Sequence, residues 1–365
     1  MKITLVAGAR PNFMKIAPII DALETDINKG KLIKYRLVHT GQHYDRNMSG
    51  SFFEELGIPH PHVNLESGGG SQAEQTANIM INFERDLLTN PTDVVIVVGD
   101  VTSTLACSIV AKKLCTSVAH VEGGIRSGDM NMPEEINRIV TDSISDFFFT
   151  TSKIANDNLR KAGVPDDRIH FVGNTMIDTL LKHMSRLKPP TFWNTLHLKP
   201  QQYFVVTLHR PSNVDDGKQL KSLVESIIYS SRGLPVLFPV HPRTAKNLQI
   251  LGIAAPNLHL ADPMGYLEFN YLVKHAKGVI TDSGGITEET TVMGIPCITL
   301  RTSTERPETV TIGTNELIGN DSSFIPFYID KIFNMEWKKG SVPEMWDGKS
   351  SERIIDVLLE NYVTI

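Results

Sequence analysis

Apolar residues in this chain fall in short unbroken runs. ITLVAG (3–8), YRLVHT (35–40), DVVIVVG (93–99), SVAHV (117–121), FFFTTS (147–152) and RIHFVG (168–173) mark the first half. YFVVTLH (203–209), PVLFPVH (235–241), NLHLA (257–261), GVITDS (278–283) and PCITL (296–300) mark the second. Runs of this length without polar alternation predict strands covered on both faces, as in parallel sheets. Between them, TLACSIVAKKL (104–114), KQLKSLVESIIYSS (218–231) and SERIIDVLLENYV (351–363) space their apolar positions i, i+3, i+4, the period of amphipathic helices. The chain therefore reads as alternating β/α throughout.

The pattern weakens at HMSRLKPPTFWNTLHLKPQQ (183–202), where Pro189–Pro190 interrupts both helix and sheet. A boundary there, or slightly before, predicts two doubly wound domains, residues 1–178 and 179–349. Residues 350–365 then form a closing helix able to pack back on the N-terminal domain. In such folds the ligand crevice is expected between the domains, at the carboxyl ends of the strands.

The 365 residues, 41% hydrophobic and 21% charged, have the composition of a globular protein. A net charge of -5 gives no basic field for nucleic acid or a membrane surface, so an anionic ligand must be held by local groups. Cys107, Cys115 and Cys297 show neither metal-site nor disulfide spacing and read as small core residues in a reducing compartment. The N-terminal apolar run ends at Arg10, too short for a signal peptide, and no stretch has the length of a membrane span. A cytoplasmic location is the expectation.

Polar and charged residues gather where the strands end. In VAGARPNFMK, Arg10 and Lys15 flank a helix start with Pro11 in its first turn, the make-up of an anion site. The segment matches neither a Walker A loop nor a dinucleotide fingerprint. In TDSGGITEE, Ser283, Gly284 and Gly285 follow a strand and open a helix, so their amides can cradle a diphosphate, and Glu289 offers an acceptor for ribose hydroxyls. His209 ends a strand beside Arg210, while His241 has no assigned role. Asp100 follows Gly99 at a strand end and reads either as a site group or as a cap of the next helix. HVEGGIRSGDMNMPEEINR (120–138) crowds Glu122, Glu134, Glu135 and Arg138 together, with Glu134 and Arg138 one turn apart on a shared face and Glu135 unassigned on another. Histidines in HTGQH (39–43) and PHPH (59–62) lack partners for a metal site and read as loop residues.

Taken in order, GARPNFMKIAPI, HTGQHYD, GDVTSTL, HVEGGIRSGDMNMPEEINR, GNTMID, HRPSNVDD, PVHPR, TDSGGITEE and STERPET resemble the non-hydrolysing UDP-N-acetylglucosamine 2-epimerases over nearly the whole chain. The resemblance implies a glycosyltransferase-B-like pair of Rossmann-like domains with the active site in the inter-domain cleft. It implies interconversion of UDP-N-acetylglucosamine and UDP-N-acetylmannosamine by anti elimination of UDP to 2-acetamidoglucal and re-addition, supplying surface polysaccharide synthesis. By the same resemblance Asp100, Glu122, Glu134 and His209 are catalytic, without a choice of which carboxylate removes the proton. Arg10, Lys15, Arg138, His209, Phe269, Ser283, Gly284, Gly285 and Glu289 bind substrate, Phe269 against the uracil. No metal or other cofactor is implied, and the expected partners are the UDP-sugar and a second copy in a homodimer.

Alternatives remain open at this level. They are a hydrolysing 2-epimerase, an epimerase of another UDP-2-acetamido sugar such as a diacetamido uronic acid, and a glycosyltransferase on the same scaffold. HRPSNVDD departs from the family's usual residues after the histidine, and ESGGGSQAEQT (66–76) does not match the segment that binds an activating second substrate molecule in some bacterial members.

Overall fold

The computed structural model describes residues 1–42, 53–240 and 242–363, apart from the side chains of Arg10, Pro242, Arg243 and Val363. His43 and His241, noted in the sequence, lie outside the described residues. Two compact units emerge, Met1–Lys182 with Glu344–Ile365, and His183–Pro343.

In the first unit seven parallel strands stand in the order β3-β2-β1-β4-β5-β6-β7. They are β1 (Lys2–Ala7), β2 (Lys34–His39), β3 (Val63–Asn64), β4 (Val94–Val98), β5 (Ser117–Val121), β6 (Phe147–Thr150) and β7 (Ile169–Phe171). Every residue of β4 is buried because helices cover both faces of the sheet. Val95 and Val97 pack with Ile79 and Phe83 of helix Gln72–Thr89 and with Val110 of helix Thr102–Lys113. Helix Gln72–Thr89 opens on a capping box, with Ser71 Oγ accepting from the Glu74 amide and the Glu74 carboxylate from the Ser71 amide.

The closing helix, Ser350–Val363, packs beside the first helix, Arg10–Asn28. Asp178 caps its start, accepting from the amides of Ser350 (3.1 Å) and Ser351 (2.7 Å) and from the Ser351 hydroxyl (2.8 Å). Just before it, buried Trp346 donates its indole N–H to the Thr151 carbonyl at 3.0 Å.

The second unit has six parallel strands in the order β10-β9-β8-β11-β12-β13. They are β8 (Phe204–Thr207), β9 (Val236–Pro239), β10 (Leu258–Ala261), β11 (Gly278–Thr281), β12 (Cys297–Thr299) and β13 (Asn315–Leu317). Phe204 and Val206 of β8 enter one apolar core, while Val205 joins Tyr203 in the other. Two cores served by alternate residues explain why the run shows no polar positions.

Every apolar run singled out in the sequence is a strand. β3 and β13 were missed, being two and three residues long, and Asn315–Leu317 has a polar, unremarkable composition. The cysteine reading needs one correction: Cys107 and Cys297 are buried, but Cys115 is exposed in the turn after helix Thr102–Lys113, with φ +56°. Among the described residues no helix is long and apolar enough to cross a membrane.

Candidate active site

In the first unit the carboxyl ends of β1, β4 and β5 bring the sequence candidates together. Asn12, in the first turn of helix Arg10–Asn28, accepts from the amides of Gly8 and Ala9 (both 3.1 Å) and donates to the Val98 carbonyl (3.0 Å). This ties the end of β1 to the end of β4. Lys15, one turn further on, donates from Nζ to Glu122 Oε2 at 2.8 Å. Glu122 is 3% exposed and adopts φ +72°, a left-handed conformation costing an L-residue on the order of 1 kcal/mol. Gly99 permits the pair, since a Cβ there would stand 2.9 Å from Lys15 Nζ.

Asp100 is fixed from the side. Arg138 donates from Nε to Asp100 Oδ2 at 3.0 Å and from Nη2 to the same oxygen at 2.5 Å. Asn137 Nδ2 donates to the Asp100 carbonyl at 2.8 Å. Helix Thr102–Lys113 has Val101 at its cap with no side-chain bond, so Asp100 is not that helix's cap.

The stretch 120–138 divides differently from the sequence reading. Arg138 pairs with Glu135 at 2.7 Å, the i, i+3 neighbour rather than the i, i+4 one. Glu135, 2% exposed, also accepts from the amides of Ser127 (2.9 Å) and Gly128 (3.0 Å). Burial pushes its carboxyl up, but these amides and Arg138 outweigh it and hold the pKa below the ordinary value. Glu134 sits half-buried in the helix's first turn, with no hydrogen bond or ion pair among the described residues. The glycines have a packing reason: a Cβ on Gly124, at φ +79°, would lie 2.3 Å from the Ala155 carbonyl oxygen.

Beneath these carboxylates lies a polar cluster that the sequence did not announce. His120 Nδ1 is 2.7 Å from Asp142 Oδ1, and Asp142 Oδ2 accepts from Arg126 Nη1 (2.6 Å) and the Gly124 amide (3.1 Å). Burial raises the Asp142 pKa, but His120 and Arg126 more than compensate and it lies below its ordinary value. His39 is likewise structural, accepting from the Gly41 amide at 2.8 Å and stacking on Phe13 at 5.3 Å.

In the second unit, His209 follows β8 with its side chain 61% exposed and Nδ1 2.8 Å from Asp282 Oδ1. Asp282 is fully buried and also accepts from the amides of His209 and Arg210 and from Asn213 Nδ2. Burial raises its pKa, but the His209 bond and charge lead the contacts that bring it below normal. An ionised Asp282 fixes Nδ1 as the donor and turns Nε2 outward.

The SGG turn is only partly open. The Ser283 amide donates to Thr281 Oγ1 at 3.0 Å, whereas those of Gly284 and Gly285 start helix Gly284–Met293, where no intrahelical acceptor exists. Glu305 closes one side of Gly284 and pairs with Arg301 at 2.7 Å, while Arg306 pairs with Glu288. Glu289 is 4% exposed, accepts from Asn270 Nδ2 at 3.2 Å and lies against the Tyr266 hydroxyl. Burial lifts its pKa to about 7 despite the Asn270 and Tyr266 hydrogen bonds. Phe269 is half-buried against the core of Tyr203 and Val205.

Sequence reasoning missed Asp282, His120, Asp142, Arg301 and Arg306. Asp282 and Arg301 carried a usable signal, a charged residue directly behind a buried strand. His120 and Asp142 carried none, being an ordinary strand residue and an ordinary helix residue until the fold joins them. Among the described residues no group of three His, Cys, Asp or Glu is placed to hold a metal ion.

Residues 25–359 match the family model described as UDP-N-acetylglucosamine 2-epimerase. The UDP-N-acetylglucosamine 2-epimerase of Methanocaldococcus jannaschii is 41% identical over 98% of this chain and 99% of its own. The UDP-2,3-diacetamido-2,3-dideoxy-D-glucuronate 2-epimerase of Pseudomonas aeruginosa is 40% identical over 87% of this chain and 88% of its own. The crystal structure of the M. jannaschii enzyme in complex with UDP-GlcNAc and UDP aligns with a TM-score of 0.88 at 40% identity, covering 99% of this chain and 100% of that one. With this fold and these strand-end clusters, the chain belongs to the UDP-N-acetylglucosamine 2-epimerase family.

Proposed function

We propose that this protein is a non-hydrolysing UDP-N-acetylglucosamine 2-epimerase. The observation that carries the reading is a pair of carboxylates at the ends of adjacent strands β4 and β5, each fixed by its own cation: Asp100 by Arg138 and Glu122 by Lys15. Binding an anionic nucleotide gives no reason to place carboxylates there, whereas moving a proton on and off a carbon does.

The C2 proton of the sugar is not acidic, so its removal is coupled to departure of the anomeric diphosphate. The C2–H and C1–O bonds break, a C1=C2 bond forms, and UDP and 2-acetamidoglucal remain bound. Return of a proton to the opposite face of C2, with attack of UDP on C1, gives the manno epimer. Asp100, Glu122 and Glu134 supply the base and the acid. Arg10, Lys15, outward-facing His209 and the helix start at Ser283–Gly285 stabilise the departing diphosphate. Phe269 packs on the uracil, Glu289 accepts the ribose hydroxyls and Arg138 holds Asp100 in place. A homodimer in the cytoplasm supplying polysaccharide synthesis completes the proposal.

The test is incubation with UDP-N-acetylglucosamine in deuterium oxide, followed by NMR. A nucleotide-linked manno product deuterated at C2 is the expected result. Free N-acetylmannosamine would replace the reading with a hydrolase. Turnover confined to the 2,3-diacetamido uronic acid, as the 40% identity to the Pseudomonas enzyme allows, would keep the reaction and change the sugar.

A further inference from the structure

We propose that His120 is a positioning residue for the epimerisation, setting the placement of Asp100 relative to Glu122; the proposal rests on the function proposed above. His120 is fully buried in β5, opposite Val97 of β4 and two residues before Glu122. Its Nε2 lies 2.8 Å from the Gly99 carbonyl oxygen, in the peptide unit that leads into Asp100. Its Nδ1 lies 2.7 Å from Asp142. A carbonyl oxygen only accepts, so Nε2 donates to Gly99, while Nδ1 faces the Asp142 carboxylate, which Arg126 holds at its other oxygen.

The geometry makes the ring a spacer of fixed length. At one end Asp142 is anchored three ways, by His120, Arg126 and the Gly124 amide, so the ring cannot swing. At the other end the Gly99 carbonyl is held by His120 and the next one, that of Asp100, by Asn137. Gly99 adopts φ +67° and its amide donates to the Val121 carbonyl at 3.0 Å, so loss of the bond to its carbonyl frees the Gly99–Asp100 peptide plane rather than the whole residue. Glu122 does not share that freedom, because its amide is bound to the Phe149 carbonyl at 2.9 Å. Releasing the Gly99 carbonyl therefore lets the peptide leading into Asp100 turn, shifting its carboxylate against the Arg138 and Asn137 contacts that remain, while Glu122 stays.

Two substitutions separate this from plain packing. In His120→Asn the amide nitrogen falls near Nδ1 and keeps the Asp142 bond but releases Gly99. In His120→Gln it falls near Nε2 and keeps the Gly99 bond. His120→Asn is expected to lower kcat roughly 100-fold with KM within about threefold, the loss for a misplacement near 1 Å. His120→Gln is expected to retain at least about ten times more turnover, and C2 deuterium exchange follows kcat in each variant. UDP affinity by calorimetry is expected to stay unchanged, because its binding groups are assigned mainly to the second unit. Equal turnover in the two variants, wild-type kcat in His120→Asn, or failure of both to fold would overturn the proposal. Wild-type protein run alongside distinguishes the two levels: absence of exchange there overturns the epimerase reading itself, and the positioning role with it.

Discussion

Glu289 is the residue whose environment most opposes its assigned work. A carboxyl group accepts two ribose hydroxyls strongly, one at each oxygen, when it is ionised, yet burial lifts its pKa to about 7. The folded chain thus keeps a proton that the unfolded chain loses near its ordinary value, so stability from this group is full at low pH and falls as pH rises through about 7. A tenfold change in proton affinity corresponds to about 1.4 kcal/mol. Glu289→Gln is expected to melt higher than the wild type above pH 7 and to lose that advantage below about pH 4.5, read by calorimetry across pH. UDP affinity in the wild type is expected to rise with pH through the same interval, and to be weak and flat with pH in the variant. Unchanged UDP affinity in the variant would remove Glu289 from the binding set.

Gly124 belongs to the same scale. Its missing Cβ faces a backbone oxygen at 2.3 Å, while that of Gly123 faces the Phe148 ring at 3.3 Å. Gly124→Ala is therefore expected to destabilise by roughly 2 kcal/mol or more, and Gly123→Ala by much less. Thermal melts of both variants check this, and the reverse order would refute the packing account.

At the scale of elements, the sequence revealed what period and burial dictate and little of what pairs at a distance. Runs such as VVIVV were legible because both faces of the sheet are dry. The helices 102–113 and 217–230 were legible from their spacing. Arg138 illustrates the limit: spacing along a helix allows i, i+3 and i, i+4 partners alike, and only the amides of Ser127 and Gly128 decide that Glu135 is the buried one. Asp282 reads as one more polar residue after a strand until β8 sets the amides of His209 and Arg210 around it. The closing helix depends on one such distant pairing, Asp178 at its first turn. Asp178→Ala leaves buried donors unmet at about 1–3 kcal/mol and is expected to raise hydrogen exchange across residues 344–363 while leaving 204–299 protected. Uniform loss of protection would show that the cap is not local.

For the whole molecule the division matters more than either sheet. Each unit has its own parallel sheet and apolar cores, so a single unfolding free energy does not describe the chain. UDP is expected to raise the melting of the second unit more than that of the first, by mass action, since most of the groups assigned to it lie there. A fragment of residues 183–343 is expected to give dispersed amide NMR signals, and residues 1–182 alone are expected not to. Trp346 reports the first unit, with Trp193 and Trp337 in the second, so single-tryptophan variants can assign each transition.

The terminal segment 344–365 completes the unit that residues 1–182 begin, and that order has a consequence during synthesis. The ribosome delivers the entire second unit before the helix that covers Arg10–Asn28. At ordinary translation speed the nascent first unit waits on the order of ten seconds or more with that face bare. The later-encoded unit can thus reach its native state first. A premature stop near residue 343 would spare the unit being finished and leave the one already on the outside of the ribosome exposed to chaperones and proteases.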